Sequence, residues 1–262
     1  MTDDKSKSAD LSKVQEIEER SLNAWPALRR VFLDGWILGL SEGYTRRANS
    51  VNPIYDGIRN VPDKIPLCEQ TYAEHQLSTI FKITPKAVQM GLDDQLEARG
   101  YEKQATTRVQ VLTLGAASDG PSEDIEVLDA VDEAWMADYA SLKEMSVPEA
   151  VKNRTILDRI GLPIRFVSVI ASGQRVAAGI AVVESGWVGL FGIVTDPSMR
   201  RQGLGRRLTS ALAAAGVEAG ARTAFLQVEA DNPAALRLYD SMGFQDAYRY
   251  WYRQEAKAFQ SG

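Results

Sequence analysis

The sequence predicts an α/β (α+β) protein, in which a mixed central sheet is flanked by helices in two similar units. Segments with the apolar pattern of strands alternate along the chain with segments of helical periodicity. A helix end followed by a glycine, an aromatic residue and a long strand occurs twice, in EARGYEKQATTRVQVLTL and in YDSMGFQDAYRYWYRQ. This repetition favours a weak internal duplication, although helix–glycine–strand units are common enough to recur without one.

The first half begins with an amphipathic helix and continues with short strands and further helices. Apolar residues spaced three to five positions apart predict the helix over residues 11–24. Pro53 and Gly57 end the second strand, and Gly100 ends the last helix of this half. The remaining predicted elements are strands at 36–40, 47–54, 79–83 and 101–114, with helices from residue 62 toward residue 75 and at 87–99.

A polar segment separates the two halves. The stretch GAASDGPSED, residues 115–124, is rich in Gly, Ser, Asp and Pro and has no apolar period. It predicts a linker at residues 116–124 between a first domain, residues 1–115, and a second domain, residues 125–262.

The second domain opens with two helices and continues with a run of strands. Ser185 and Gly186 form a dipeptide that is typical of a tight hairpin between two of these strands. Its predicted helices are 125–145, 148–160, 204–216 and 233–242, and its strands are 164–171, 175–183, 187–194, 223–228 and 245–253.

The composition narrows the function. The 262 residues carry a formal net charge of −5, which argues against sequence-independent binding of nucleic acid. No apolar run approaches the ~18 residues of a membrane-spanning helix, and the polar start lacks a secretory signal. With one cysteine, Cys68, and one histidine, His75, the chain can form no internal disulfide and cannot build a structural zinc site. We expect a cytoplasmic protein without a metal, acting neither on nucleic acid nor at a membrane.

The segment VTDPSMRRQGLGRRL, residues 194–208, carries the clearest chemical signal. It predicts a strand end, a turn at Pro197, a glycine loop and the first turn of a helix. Amides at a helix N-terminus bind anions, and Gly203 and Gly205 let a phosphate approach them closely. Four arginines flank this loop, Arg200, Arg201, Arg206 and Arg207. A diphosphate is the simplest ligand for this arrangement.

The spacing of the glycines excludes two common phosphate-binding motifs. A P-loop needs four residues between its glycines, and the dinucleotide fingerprint needs a third Gly or Ala where Leu208 stands. Arg-x-x-Gly-x-Gly after a strand that ends V-x-x-P instead resembles the coenzyme A pyrophosphate loop of the GCN5-related N-acetyltransferases. The segment from Asn232 to Phe244 (N-x-x-A-x-x-L-Y-x-x-x-G-F) is similar to that family's second signature. The two motifs, in order, cover roughly half of the chain together with their flanking elements.

The resemblance implies a mixed sheet in which acetyl-coenzyme A lies between two parallel strands that diverge, here residues 187–195 and 223–228. It implies that backbone groups of the first strand pair with the pantetheine arm, while the loop amides hold the pyrophosphate. The residues implied to bind the coenzyme are Ile193, Val194, Thr195, Arg200, Arg201, Gln202, Gly203, Leu204, Gly205, Arg206, Asn232 and Tyr239.

The resemblance also implies direct attack of a neutral amine on the thioester. Tyr239 is implied as the proton donor to the leaving thiolate, and an amide near Val194 as the donor to the oxyanion. Family members often carry a basic carboxylate near the position of Gly189, where this chain has none. Glu229 and Glu184 are the alternative candidates for the base, and a water chain is an equal one.

The sequence therefore predicts an N-acetyltransferase that moves an acetyl group from acetyl-coenzyme A to a primary amine of a small molecule or protein. The alternative is a coenzyme A-binding sensor or scaffold without catalysis. Because residues 1–115 lack Arg-x-x-Gly-x-Gly, we expect a degenerate first copy that serves packing or acceptor selection. Arg46 and Arg47 are expected to be solvated charges at the start of a strand, and a role in binding the acceptor is the less favoured alternative. Net acidity mildly favours a cationic acceptor. The acceptor's identity and the oligomeric state stay open.

Overall fold

A computed structural model describes residues 10–115 and 122–255 of the chain. These residues form one 11-stranded mixed sheet flanked by helices, which confirms the predicted fold class. The strands are β1 (Arg29–Leu33), β2 (Trp36–Leu40), β3 (Val51–Pro53), β4 (Ile80–Ile83), β5 (Tyr101–Thr113), β6 (Ile125–Leu128), β7 (Ile164–Ala171), β8 (Gln174–Glu184), β9 (Trp187–Thr195), β10 (Thr223–Glu229) and β11 (Gln245–Glu255). The helices are α1 (Leu11–Ala24), α2 (Val61–Glu74), α3 (Pro85–Gln89), α4 (Leu92–Ala98), α5 (Glu133–Leu142), α6 (Val147–Leu157), α7 (Leu204–Glu218) and α8 (Pro233–Ser241).

The two halves of the chain exchange their last strands at the centre of the sheet. The strand order is β1-β2-β3-β4-β11-β5-β10-β9-β8-β7-β6. Strand β5, from the first half, pairs antiparallel with β10 of the second half, and β11 pairs antiparallel with β4 of the first. On either side of this centre lies one parallel pair, β3 with β4 and β9 with β10. Read inward from either edge, consecutive strands of one half lead to the exchanged strand of the other half, four strands (β1–β4) on one side and five (β6–β10) on the other. The predicted boundary at residues 116–124 does not divide the sheet.

Alternating side chains of the strands build three cores on the two faces of this sheet. One face packs against α1, α5 and α6, in a core that includes Ile17, Trp135 and Phe191. The opposite face is covered by α7 and α8 in the second half, and by α2, α3 and α4 in the first. Each half thus has a helix between its two parallel strands on the same face.

A buried ion pair ties the first helix to the exchanged strands. Lys82 Nζ on β4 lies 2.6 Å from Glu18 Oε2 on α1, and both side chains are almost completely buried. Tyr248 on β11 donates a hydrogen bond to the other carboxylate oxygen of Glu18 at 2.6 Å. The carboxylate therefore has two partners on two different strands, as a buried charge requires.

Several predicted element boundaries differ from the structure. Only Val51–Pro53 of the predicted strand 47–54 is a strand, because Arg46–Ala48 forms a 3₁₀ turn. The predicted helix 125–145 is wrong at its start: residues 125–128 pair with β7 as β6, and α5 begins after Asp132, whose side chain caps it. Strand β1 was not predicted; it joins β2 through Asp34 and Gly35, both with positive φ, as two-residue hairpins favour.

The remaining two differences concern the first half and the linker. Gly91, with a φ of 73°, separates α3 from α4 where one helix is predicted at 87–99. Residues 116–121 of the predicted linker lie outside the described residues, and Ser122–Asp124 lead directly into β6.

The exchange of strands predicts that neither half folds alone. A fragment of residues 122–262 lacks β5, so β10 and β11 lose the strand that joins them. A fragment of residues 1–115 lacks β11, one of the two partner strands of β4, and both neighbours of β5. We expect each fragment to give no cooperative thermal transition in circular dichroism, whereas an equimolar mixture regains it. The matched control is the whole chain cleaved at a protease site inserted within 116–121. A cooperative melt from either fragment alone contradicts the prediction.

Candidate active site

A cleft opens in the sheet where β9 and β10 stop pairing. Their parallel register runs from Trp187 and Thr223 to Leu190 and Leu226, and ends there. Beyond this point β9 continues to pair with β8 on its other edge. The edge of β9 that faces β10 is therefore free over its last residues, and a cleft of about 1090 Å³ lies beside it.

A bulge in β9 accompanies this divergence. Ile180 on β8 pairs with Phe191, whereas Ala178 pairs with Val194, so β9 has one residue more than β8 in this stretch. Gly192, inside the bulge, has a φ of 61°. A Cβ atom built on this glycine would lie 2.1 Å from the Tyr139 hydroxyl oxygen. Both its backbone conformation and the close tyrosine therefore require glycine at this position.

Tyr139 is held firmly against the bulge from α5. Its ring stacks on Trp135 with the ring centroids 4.6 Å apart, and the residue is almost completely buried. Burial raises the pKa of the Tyr139 hydroxyl, with a smaller contribution from Tyr44. Tyr139 is a site residue that sequence reasoning missed, because only the tertiary fold brings α5 beneath β9.

The opposite end of the cleft is the N-terminus of α7. Gly203 caps this helix with a φ of 80°, and no side chain satisfies the first amides. The Arg207 amide makes the first helical hydrogen bond, to the Gly203 carbonyl. Within residues 10–115 and 122–255, the amides of residues 204–206 have no acceptor. They form an anion-binding group of donors at the positive end of the helix dipole.

The four arginines of this loop have different surroundings. Arg200 and Arg201 line the cleft, and Arg201 adopts a φ of 64°. Arg206 also lines it, but donates a hydrogen bond to Ser241 Oγ on α8 at 2.6 Å. Arg207 contacts the carboxylate of Asp124. Gln202 is exposed and is not among the residues that line the cleft.

The second sequence motif brings α8 against α7. The Asn232 side chain caps α8 by accepting a hydrogen bond from the Ala235 amide at 3.1 Å, and Asn232 also lines the cleft. A Cβ atom on Gly205 would lie 3.0 Å from Leu238 Cδ2, so the glycine permits close packing of the two helices.

Tyr239, on α8, combines burial with access to the cleft. It is 7% exposed, lines the cleft, and packs edge-on against Phe244. Among the described residues its hydroxyl group has no hydrogen-bond partner. Burial raises the pKa of Tyr239 to about 12. The phenol therefore stays protonated at neutral pH and can donate its proton into the cleft.

The two candidate carboxylates lie at different places. Glu229 is the last residue of β10, is exposed, and lines the cleft. Glu184 lies at the hairpin between β8 and β9, at the far end of β9 from the glycine loop, and accepts a hydrogen bond from Asn23. The structure therefore brings Glu229, but not Glu184, together with the other predicted site residues.

The cleft extends to the face of the sheet that carries α5, where residues of both halves meet. Asn153 on α6, 1% exposed, donates a hydrogen bond to the Tyr44 hydroxyl at 3.0 Å. Arg47 lies close to two aromatic rings here. We call this part the α5 side of the cleft, lined by Trp25, Tyr44, Thr45, Arg46, Arg47, Tyr139, Lys143 and Asn153. Arg46 and Arg47 line the cleft and do not begin a strand as predicted, and no motif in the sequence indicates this placement.

The corresponding place in the first half is filled by a side chain of the protein. The segment between β3 and α2 follows a parallel strand, as the glycine loop follows β9. Its amides at Ile58 and Arg59 donate hydrogen bonds to the Asp34 carboxylate at 2.9 and 2.8 Å, and Lys64 Nζ lies 2.9 Å from the same group. The hydrogen bond from Ile58, then those from Lys64 and Arg59, lower the pKa of Asp34 to about 2. The Asp34 carboxylate therefore occupies the backbone amides that a bound anionic ligand would otherwise use.

In the described part of the chain, no three His, Cys, Asp or Glu side chains cluster as a metal ion would need. None of its helices has the length and apolar character to cross a bilayer.

Known proteins resemble this chain over most of its length. A family described as "Probable histone acetyltransferase Rv0428c C-terminal" matches residues 11–253. The uncharacterized N-acetyltransferase YobR of Bacillus subtilis is 28% identical over 249 residues, which are 93% of this chain and 99% of YobR. The probable histone acetyltransferase Rv0428c of Mycobacterium tuberculosis is 25% identical over 88% of this chain and 70% of its own length.

Solved structures share the fold. A GCN5-related N-acetyltransferase from Kribbella flavida superimposes with a TM-score of 0.69 at 16% identity, over 97% of this chain and 98% of the other. A tandem GNAT protein from the clavulanic acid biosynthesis pathway gives a TM-score of 0.60 at 11% identity, over 92% and 88% of the two chains.

The contact between Gly192 and Tyr139 predicts a pair of linked substitutions. Gly192→Ala puts a methyl group into the tyrosine hydroxyl and imposes a positive φ on alanine, so we expect a loss of about 1–3 kcal/mol in the free energy of unfolding. Tyr139→Phe removes the hydroxyl, so the double variant regains part of this loss. Urea denaturation of the wild type, both single variants and the double variant measures the coupling. Strictly additive losses are inconsistent with the contact.

Proposed function

We propose that this chain, which belongs to the GCN5-related N-acetyltransferase superfamily, transfers an acetyl group from acetyl-coenzyme A to a primary amine. Within the superfamily it belongs to the family of the Rv0428c C-terminal region. The observation that carries the proposal is the cleft between β9 and β10. It joins a free strand edge, a helix N-terminus with unsatisfied amides, and a protonated tyrosine in one space.

The cleft fits the two chemically distinct parts of the coenzyme. The free edge of β9 at Ile193, Val194 and Thr195 offers backbone groups to the amides of the pantetheine arm, as an added strand would. The amides of residues 204–206, with Arg200 and Arg201, offer donors to the pyrophosphate. When bound, acetyl-coenzyme A supplies an activated thioester carbonyl, to which a neutral amine adds as the carbon–sulfur bond breaks.

Tyr239 is the proposed proton donor to the departing sulfur. With a pKa of about 12 its phenol is a weaker acid than a thiol, whose pKa is about 8.5. The phenol therefore assists the departure of the sulfur through a positioned hydrogen bond, but donation of its proton does not drive the reaction alone. An amide of the bulge near Val194 is the proposed donor to the carbonyl oxygen.

The amine must lose a proton when the new carbon–nitrogen bond forms. Glu229 is the one carboxylate among the residues that line the cleft, and we propose it as the acceptor of this proton, directly or through water. Glu184 is left out of this role because it lies at the far end of β9 and is bound to Asn23.

The alternative function is a coenzyme A-binding sensor without catalysis. It is favoured by Gly189, which stands where family members often have a carboxylate. A Cβ atom at this glycine would lie 2.4 Å from the Phe191 ring and 2.8 Å from that of Phe225, so no side chain fits there. Release of thiol from acetyl-coenzyme A with a panel of amines separates the two functions, because a sensor binds without releasing thiol.

The first half is proposed to bind no coenzyme and to form part of the acceptor site. Asp34 already occupies the amides of Ile58 and Arg59, and Lys64 neutralises it. In contrast, Tyr44 and Arg47 of the same half line the cleft of the other.

Charge reversal in the glycine loop tests coenzyme binding. Each lost charge-assisted hydrogen bond weakens binding by about 1.5–3 kcal/mol, so we expect Arg200→Glu with Arg201→Glu to raise the Kd for acetyl-coenzyme A at least tenfold. Arg99→Glu, an exposed arginine after α4, is the matched control and should leave the Kd unchanged. Isothermal titration calorimetry measures both, and equal affinities for all three proteins would falsify the proposed pyrophosphate site.

Removal of the Tyr239 hydroxyl tests the proton donor. We expect Tyr239→Phe to lower kcat roughly tenfold to a hundredfold and to leave the Kd for acetyl-coenzyme A nearly unchanged. Because the pKa of Tyr239 is raised to about 12, its protonated form persists, and turnover of the wild type should show no loss from this group up to about pH 10. Unchanged kcat in the variant refutes the role, as does a fall in kcat that merely follows lost coenzyme affinity.

A further inference from the structure

Arg47 lines the cleft and forms no ion pair with any carboxylate of residues 10–115 or 122–255. Its guanidinium carbon lies 5.5 Å from the centre of the Phe191 ring and 5.9 Å from that of Trp25. Its Nε is buried and has no hydrogen-bond partner. Within the described parts of the chain, its two terminal nitrogens form no hydrogen bond or ion pair either, and they are not buried, so they are available to a ligand in the cleft. Contacts with aromatic rings stabilise a cation only modestly, and they leave its N–H donors unused.

Other partly buried arginines of this protein are paired. Arg253 binds Asp93 and Glu97, with Asp93 Oδ1 at 2.7 Å. Arg175 contacts Glu126 and Asp138, and Arg108 contacts Asp246 and Asp240. The chain has 35 acidic residues against 30 basic ones, so carboxylates are not scarce. A half-buried arginine without a carboxylate partner therefore stands apart from the pattern in the rest of the described structure.

The charged groups around Arg47 are also cations. Lys143 and Arg46 line the same α5 side, and among the described residues the one carboxylate that lines the cleft is Glu229, at the end of β10. The pKa of Lys143 is lowered, first by burial and then by the charge of Arg47. Arg47 and Lys143 repel each other in a space lined by aromatic and amide side chains and by Arg46, and such a group of cations forms a site for an anion.

We propose that the acceptor amine carries a carboxylate a few bonds from its amino group, and that this carboxylate pairs with the Arg47 guanidinium. The inference rests on the proposed function and names its acceptor class. Phe191, which Arg47 contacts, immediately precedes the bulge at Gly192, so an anion on Arg47 lies close to the point where the amine must react. A small amino-acid-like molecule meets this geometry. The cationic acceptor that the net charge of the chain mildly favours does not match the charges of the cleft.

Matched acceptor pairs test the proposal. Thiol release at saturating acetyl-coenzyme A is measured for γ-aminobutyrate against butylamine, and for phenylalanine against phenylalaninamide and phenethylamine. Phosphoethanolamine against ethanolamine distinguishes a phosphate from a carboxylate, and spermidine and a lysine-rich peptide represent cationic acceptors. We expect kcat/KM to be at least about tenfold higher for a carboxylate-bearing amine than for its neutral partner. A preference for the neutral, phosphorylated or cationic acceptors overturns the proposal.

A variant series assigns the preference to the arginine. We expect Arg47→Gln to abolish the difference in kcat/KM between the carboxylate-bearing amine and its neutral partner. The loss comes from a higher KM for the carboxylate-bearing amine, and the Kd for acetyl-coenzyme A stays unchanged. Arg47→Lys, which keeps the charge but loses the planar fork, should retain part of the difference. Arg99→Gln is the matched control outside the cleft. A difference that survives Arg47→Gln overturns the proposal, and so does a loss of coenzyme affinity, which would assign Arg47 to the cofactor.

A binding measurement separates this proposal from the proposed function. If acetyl-coenzyme A binds but no amine releases thiol, the transferase function fails. Calorimetry of the same acceptors with the coenzyme A complex then tests whether a carboxylate-bearing amine binds at Arg47. Binding of a carboxylate-bearing amine to the wild type, and at least about tenfold weaker binding to Arg47→Gln, supports it. Absence of binding for every carboxylate-bearing amine of the panel overturns it.

Discussion

The end of pairing between β9 and β10 is the constraint on which the site depends. Two parallel strands that separate leave backbone donors and acceptors without partners, and such groups must be matched by a ligand or by water. The bulge at Gly192 accompanies the separation, and Tyr139 supports the bulge from the opposite face. The same divergence leads β9 into the glycine loop, so that the free strand edge and the helix N-terminus belong to one continuous surface. The proposed coenzyme binding and the proposed chemistry thus both depend on this geometry of the sheet.

The same arrangement of strand pair, loop and helix occurs in both halves, but its backbone amides have different partners. Each half has a parallel strand pair, a loop after the first of these strands, and a helix on the same face. In the second half the helix amides are open, and positive side chains surround them. In the first half Asp34 supplies the negative charge from within the protein, and Gly57 lies so close to it that a Cβ atom would be 2.2 Å from its backbone oxygen. The first half also reaches the cleft of the second half, chiefly through the segment from Tyr44 to Arg47.

The sequence was enough to predict those parts of the fold and of the candidate site whose determining interactions are local. The glycine loop, the cap at Asn232 and the alternation of strands with helices follow from residues adjacent in the chain, and the structure brings Arg200, Arg201, Gly203 and Tyr239 to one cleft as expected. It did not suffice where distant segments meet. The side chains of Arg47, Tyr139 and Asn153 carry no motif, and they meet at the cleft only because the tertiary fold brings a turn of the first half against α5 and α6 of the second. Glu184 and Glu229 are equivalent as strand-end carboxylates in the sequence, and only the direction of the strands separates them.

The exchange of β5 and β11 also dictates an order of events during synthesis. When β5 leaves the ribosome, neither of its two neighbours in the final sheet, β10 and β11, has yet been made. One edge of β4 also stays unpaired until β11, the last strand of the sheet in the sequence, is translated. The nascent first half therefore carries two strands with unpaired edges through most of translation. Such edges invite pairing with other chains, so this architecture places a demand on chaperones that two independently closing domains would avoid.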